Sequence, residues 1–210
     1  MRAAARGRLA GRDIAPTVPD PPSAGHGPTV PPVNGTLAPM GPTIYLGHGA
    51  SGDAASMRPY VDGLRDRGFD ARALELPKRR AEDAVAALVA QAPRGPDVVI
   101  GGHSYGGRVA SLAAAEGGYL GLVCLSYPLH RPGAPELGSR VAHWPSIACP
   151  ALLQSGESDP FARIDLLREA VPRLRRAELV TYPRLGHTLK PVLDDVLDHI
   201  ARFLSSVEGG

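Results

Sequence analysis

Residues 101–108 read GGHSYGGR and follow directly on the apolar run Val98-Val99-Ile100. Four glycines around one serine do not suit a helix interior, because each loses more backbone freedom on folding than alanine does. The five residues Gly102-His103-Ser104-Tyr105-Gly106 form a G-x-S-x-G pattern with a predicted strand before it and a predicted helix after it. That setting is the one a nucleophile elbow requires. The serine sits on a sharp strand-to-helix turn, and side chains two residues either side would collide with neighbouring backbone. The turn lifts the Ser104 hydroxyl above the strand ends and points a helix N-terminus at it, leaving the Tyr105 N–H to stabilise an oxyanion. The competing reading is a glycine-rich turn that binds phosphate. Against it, the chain has neither G-x-x-x-x-G-K-[ST] nor a G-x-G-x-x-G followed by an acidic residue at the right distance.

Outward from this turn the chain alternates apolar runs with stretches of helical period. The runs are residues 43–47, 70–76, 97–102, 120–127, 150–156 and 177–183. Between the first two, Met57, Tyr60, Val61 and Leu64 share one helical face; between the next two, Val85, Leu88 and Val89 do. Helical stretches also follow the third, fifth and sixth runs. This alternation predicts an α/β fold: a three-layer α/β/α sandwich with about six mostly parallel strands. Near-continuous apolar strands agree, since parallel strands are buried on both sides.

A serine at its ordinary pKa needs a base, and the base needs a carboxylate to orient it. In this architecture the order along the chain is serine, acid, histidine. Asp159, in SGESDPF, follows the fifth run, and His187, in PRLGHTLK, follows the sixth. Both fall at strand C-terminal ends, the edge where open α/β sheets place their sites. Glu157 competes with Asp159 for the acid role. Of the other histidines, His103 reads as a packing residue at the elbow and His199 as a solvent-facing residue of the last helix. His130 and His143 lie in the loop after the fourth run and are candidates for the pocket rim. Arg108, one turn after Ser104, reads as a structural ion pair or as a contact for an acidic substrate.

Composition narrows the classes. At 210 residues the chain suits one well-buried domain. No apolar run approaches the roughly 18 residues of a membrane span, and the arginine-containing N-terminus lacks the apolar stretch of a secretory signal. Residues 1–42 hold nine of the 22 prolines, which predicts a disordered tail ahead of a domain at 43–210. Met40, just before the first strand, is a candidate alternative start. The tail carries four arginines against Asp13 and Asp20, while the remainder balances at 19 basic and 19 acidic residues. That balance argues against a nucleic-acid face. Cys124 and Cys149 read as small buried hydrophobes rather than a disulfide or zinc site, which fits a reducing, cytoplasmic setting. No metal or cofactor is expected, and the oligomeric state is left open.

From residue 43 onward the chain resembles the α/β-hydrolase superfamily. The stretches HGASG, GGHSYGGRVAS, LVCLSYPLHRPGAPE and GESDPF resemble its compact, lid-less dienelactone-hydrolase-like group, which includes a testis-expressed animal protein and a subunit of a chromatin acetylation complex. The resemblance implies a triad of Ser104, Asp159 and His187, with oxyanion donors at the Ala50 and Tyr105 amides. His48 and Gly49 resemble the turn that precedes the first donor, and with His130 they are the expected pocket residues. Two features depart from the superfamily: the usual first antiparallel strands and a cap. Only a short loop with four prolines lies between Tyr127 and Cys149. The expected activity is hydrolysis of a small carboxylic ester or thioester through an acyl-enzyme. The alternative is a binding or scaffolding module with weak or no turnover.

Overall fold

The computed structural model describes residues 41–135 and 138–208. The proline-rich tail expected at 1–42 therefore lies outside the described residues, apart from Gly41 and Pro42. In chain order the elements are β1 (Thr43–Gly47), α1 (Arg58–Asp66, entered through a 3-10 turn at Ala54–Met57), β2 (Ala71–Leu74), α2 (Ala81–Gln91), β3 (Gly95–His103), α3 (Tyr105–Ala115), β4 (Tyr119–Leu125), β5 (Ala151–Gly156), α4 (Ile164–Ala170), β6 (Ala177–Tyr182) and α5 (Leu193–Glu208). The strands form one six-stranded sheet in the order β2-β1-β3-β4-β5-β6, and every pairing is parallel.

The apolar pattern explains the layering. Alternate residues of a strand face opposite sides of the sheet, so Ile100, Leu122, Cys124 and Leu153 join one core, while Val99, Val123, Leu125 and Leu152 join the other. The first core is closed by Leu88 of α2, Val109, Ala110, Ala113 and Ala114 of α3, and Leu167 of α4. The second is closed by Tyr60, Val61 and Leu64 of α1 and by a six-residue apolar stripe on α5. Each of these large side chains contributes about 1.5–3 kcal/mol through burial. The small alanines on α3 let it lie close against β3 and β4.

Two features of the topology place the site. The chain turns outward from β1 to β2 and then crosses back to β3, so the strand order reverses between β1 and β3. A crevice opens at the carboxyl ends of such a strand pair, beside the loop after Gly47 and the turn at Ser104. Among the described residues, the segment between β4 and β5 contains two 3-10 turns, Ser139–Val141 and Trp144–Ser146, and no longer helix or strand. Val141, Trp144 and Ile147 anchor it in the core, with Trp144 edge-on to Tyr127 at 5.1 Å. Among the described residues no cap covers the strand ends. Nor is any helix there long and apolar enough to cross a membrane.

Candidate active site

Ser104 follows the last residue of β3 and precedes the first of α3, with φ 51° and ψ −111°. A non-glycine residue in that region is uncommon and strained, and surrounding contacts must hold it there. The Ser104 N–H donates to the Leu125 carbonyl at 2.8 Å, and the Gly106 N–H donates to the His48 carbonyl at 2.9 Å. The glycines permit this closeness: a Cβ at either Gly102 or Gly106 would overlap the Gly47 carbonyl. The Tyr105 hydroxyl donates to the Pro77 carbonyl at 2.7 Å and fixes the start of α3 from the side.

Asp159 and His187 reach Ser104 from the loops after β5 and β6. The loops are stitched together by Glu157 N–H to Tyr182 O at 3.0 Å and Ser158 N–H to Leu185 O at 2.8 Å. A side chain at Gly156 would collide with the carbonyls of Leu185 and Gly186, so glycine is what lets the loops touch. His187 Nδ1 lies 3.0 and 2.8 Å from the two Asp159 carboxylate oxygens, and His187 Nε2 lies 2.8 Å from Ser104 Oγ. Since a carboxylate only accepts, Nδ1 carries the proton and Nε2 is the free acceptor facing the serine. The Asp159 side chain is fully buried and accepts a further bond from the Phe161 N–H at 2.8 Å. Glu157, its competitor in the sequence, instead pairs with Arg168 at 2.8 Å and accepts from the Thr181 hydroxyl at 2.9 Å. The His187 ring lies between the Phe161 ring, 4.5 Å away, and the His103 ring, 5.0 Å away.

Ala50 is the second residue of a turn closed by Gly52 N–H to Gly49 O at 3.0 Å. Ala50 and Ser104 border two clefts in common. One, about 520 Å³, also takes in Gly49, Met57, Tyr60, His187 and Lys190. The other, about 210 Å³, takes in Tyr105, Phe161 and three arginines. Among the described residues, neither the Ala50 nor the Tyr105 amide is used in a hydrogen bond within the chain, which leaves two donors beside the serine.

Two expected pocket residues sit elsewhere. His48 is fully buried: its Nδ1 donates to the Gly49 carbonyl at 2.7 Å and its Nε2 accepts from the Leu76 N–H at 3.0 Å. It braces the β1 loop against the end of β2 and lines neither of the two clefts that Ser104 borders. His130 is 4% exposed, donating through Nδ1 to the Arg131 carbonyl at 2.8 Å and accepting at Nε2 from the Arg163 N–H at 3.0 Å. It borders an outer cleft with Arg80 and Glu82, not the surface around Ser104. His143 is held by Ser111 Oγ at 2.8 Å, and burial beside the Arg108 guanidinium pushes its imidazole down to about 4. His199 is half-buried, 3.7 Å from both Glu178 and Asp195, and not solvent-facing as its spacing suggested.

Sequence reasoning missed the work of His103. Its Nε2 donates to the His187 carbonyl at 2.9 Å, and burial holds its imidazole below the ordinary histidine range. Adjacency to Ser104 was the only available signal. Among the described residues no group of three His, Cys, Asp or Glu side chains is placed to hold a metal ion, and both cysteines are free.

The chain belongs to the alpha/beta hydrolase domain family, whose sequence pattern matches residues 59–204. That span includes Ser104, Asp159 and His187 and begins after the Ala50 turn. The fold is similar to that of a monoacylglycerol lipase from Paleococcus ferrophilus (TM-score 0.67, 15% identity, covering 79% of this chain and 94% of that one). It is also similar to Est1E from Butyrivibrio proteoclasticus, solved with ferulic acid bound (TM-score 0.68, 16% identity, 80% and 90% covered). A thermophilic esterase from Thermogutta terrifontis is a third (TM-score 0.62, 18% identity, 80% and 91% covered). At these identities the likeness establishes the fold alone. No curated protein sequence matches the chain.

Proposed function

We propose that this protein is a serine hydrolase that cleaves small carboxylic esters or thioesters through an acyl-enzyme. The observation that carries the reading is the unbroken chain from Ser104 Oγ to His187 Nε2 at 2.8 Å and from His187 Nδ1 to Asp159 at 2.8 Å. A hydrogen-bonded nucleophile, base and orienting acid make an otherwise unreactive hydroxyl competent to attack a carbonyl.

In this mechanism Ser104 Oγ attacks the carbonyl carbon while its proton passes to His187 Nε2. Asp159 holds the ring in the correct tautomer and stabilises the imidazolium. The negative charge that develops on the carbonyl oxygen is met by the amides of Ala50 and Tyr105, and such donors are usually the largest single contribution to catalysis. Collapse of the tetrahedral adduct expels the alcohol or thiol, which takes the proton back from His187. Water, deprotonated by the same ring, then releases the acid. With no cap over the strand ends among the described residues, the site favours small or protruding acyl groups.

Within the superfamily, the stretches quoted above support membership of the dienelactone-hydrolase-like group, and the two free cysteines support a reducing, cytoplasmic setting. The proposed partner is the small acyl substrate itself, not nucleic acid or membrane. The test is turnover of p-nitrophenyl acetate and of an acetyl thioester by wild type and Ser104→Ala. A burst of about one equivalent of p-nitrophenol that vanishes in Ser104→Ala supports the reading. Equal rates in the two proteins refute it and leave the binding-module alternative.

A further inference from the structure

The smaller cleft beside Ser104 has an unusual wall. Three guanidinium groups, those of Arg108, Arg131 and Arg140, line it together with Tyr105 and Phe161. Arg108 is paired with Glu82 at 2.5 Å, and its buried Nε has no hydrogen-bond partner. Among the described residues, no carboxylate lies within ion-pair distance of Arg131 or Arg140. Arg140 is fixed in place by donating from Nη1 to the carbonyls of Pro128, at 2.9 Å, and His130, at 3.1 Å. These acceptors are neutral, and Glu82, which pairs with Arg108, acts on the Arg140 charge only from a distance.

Such an arrangement works against the folded chain. Burial first, and then the like charges of Arg108 and Arg131, hold the Arg140 guanidinium below its ordinary pKa. Like charges gathered in a partly desolvated cleft disfavour one another. One anion between them reverses the sign, because a carboxylate accepts paired N–H bonds from guanidinium groups with matching planar geometry. The larger cleft differs. It is bordered by the apolar side chains of Met57 and Tyr60 and by a single cation, Lys190. Ser104 stands between an arginine-lined space and a mostly neutral one.

We infer that the substrate of Ser104 is an ester or thioester with a carboxylate on one half, and that Arg108, Arg131 and Arg140 hold this carboxylate in the cleft of about 210 Å³. The inference rests on Ser104 being the nucleophile and adds the chemical class of what it attacks. A cleft of that size admits a carboxylate on a short chain or a single ring. The arginines bind and orient; they take no part in proton transfer.

Matched carboxylate and carboxamide esters test this. One pair, 4-carboxyphenyl acetate and 4-carbamoylphenyl acetate, carries the group on the leaving half. The other, monomethyl glutarate and methyl glutaramate, carries it on the acyl half. Wild type should favour the carboxylate in at least one pair by about tenfold or more in kcat/KM, the range expected for a hydrogen bond to a charged group. Arg131→Gln, at an exposed position, and Arg140→Gln should each bring that ratio toward unity through KM and retain fluorophosphonate labelling. Lys190→Gln, in the other cleft, should keep the preference. Labelled wild type without a carboxylate preference in either pair overturns the inference alone. So does a preference that survives both arginine changes, or one that Lys190→Gln abolishes equally. Folded wild type that does not label overturns it together with the reading of Ser104 on which it rests.

Discussion

His103 Nε2 donates to the backbone carbonyl of His187 at 2.9 Å, so the residue before Ser104 holds the residue whose imidazole faces the Ser104 hydroxyl. The bond ties the end of β3 to the loop after β6 and sets the distance between Ser104 and the imidazole. His103→Ala should lower kcat by about tenfold to a hundredfold, the cost of misplacing a reacting group by an ångström, and leave KM nearly unchanged. His103→Gln, which retains a donor, should recover part of the loss. A purely structural role would lower thermal stability in both variants without separating their kcat values.

Asp159 and Glu157 were equal in residue chemistry and are opposite in placement. Asp159→Asn should reduce kcat by about 10⁴, since the imidazole then loses the acceptor that fixes its tautomer. Glu157→Gln removes only a partly exposed pair with Arg168 and should cost at most about 1 kcal/mol of stability, with kcat changed less than threefold by the same weak coupling. Comparable losses in the two variants would contradict the assignment.

Stability should fall on mild acidification through the protonation of two partly buried histidines. His143 is pushed down to about 4 by burial and the Arg108 charge, and His103 is held low chiefly by burial. In the unfolded chain both titrate near the ordinary histidine value of about 6.5. Between these limits the unfolded state binds more protons, so unfolding free energy rises with pH. The stabilisation is complete above about pH 6.5 and is lost progressively as pH falls toward about 4. Urea midpoints at pH 7.0 and 5.0 measure the effect, and His143→Gln should flatten the difference.

The elbow tolerates no side chain at its flanks. Gly106→Ala should destabilise the fold by about 1–3 kcal/mol, the usual cost of overpacking a filled site, and should displace Ser104 as α3 moves off the Gly47 carbonyl. Urea midpoint and ester turnover should therefore fall together. A stable variant with full activity would contradict the close approach.

The fold was legible because parallel strands buried on both faces leave continuous apolar runs, and all six runs became strands. Boundaries shifted where tertiary contacts intervene. β3 begins at Gly95 because that residue pairs with Tyr119 across a bulge. The helical pattern of FARIDLLREAV starts at Phe161, but α4 begins only at Ile164 because Asp159 accepts bonds from the Phe161 and Ala162 amides and holds the loop in a turn. That Ser104, Asp159 and His187 come together was legible from their order and from the turn residues around them. His48 and His130 were misplaced because a histidine beside a strand end can face the cleft or satisfy local backbone, and sequence does not distinguish the two. Arg131 and Arg140 carried no periodic signal; only the path of the loop after β4 brings them to Arg108.

Labelling by a fluorophosphonate probe tests most directly, and without knowledge of the substrate, whether Ser104 is an activated nucleophile. Wild type should label rapidly, with Ser104→Ala and His187→Ala unlabelled though folded. Folded wild type that stays unlabelled, or Ser104→Ala that labels as well as wild type, would contradict it.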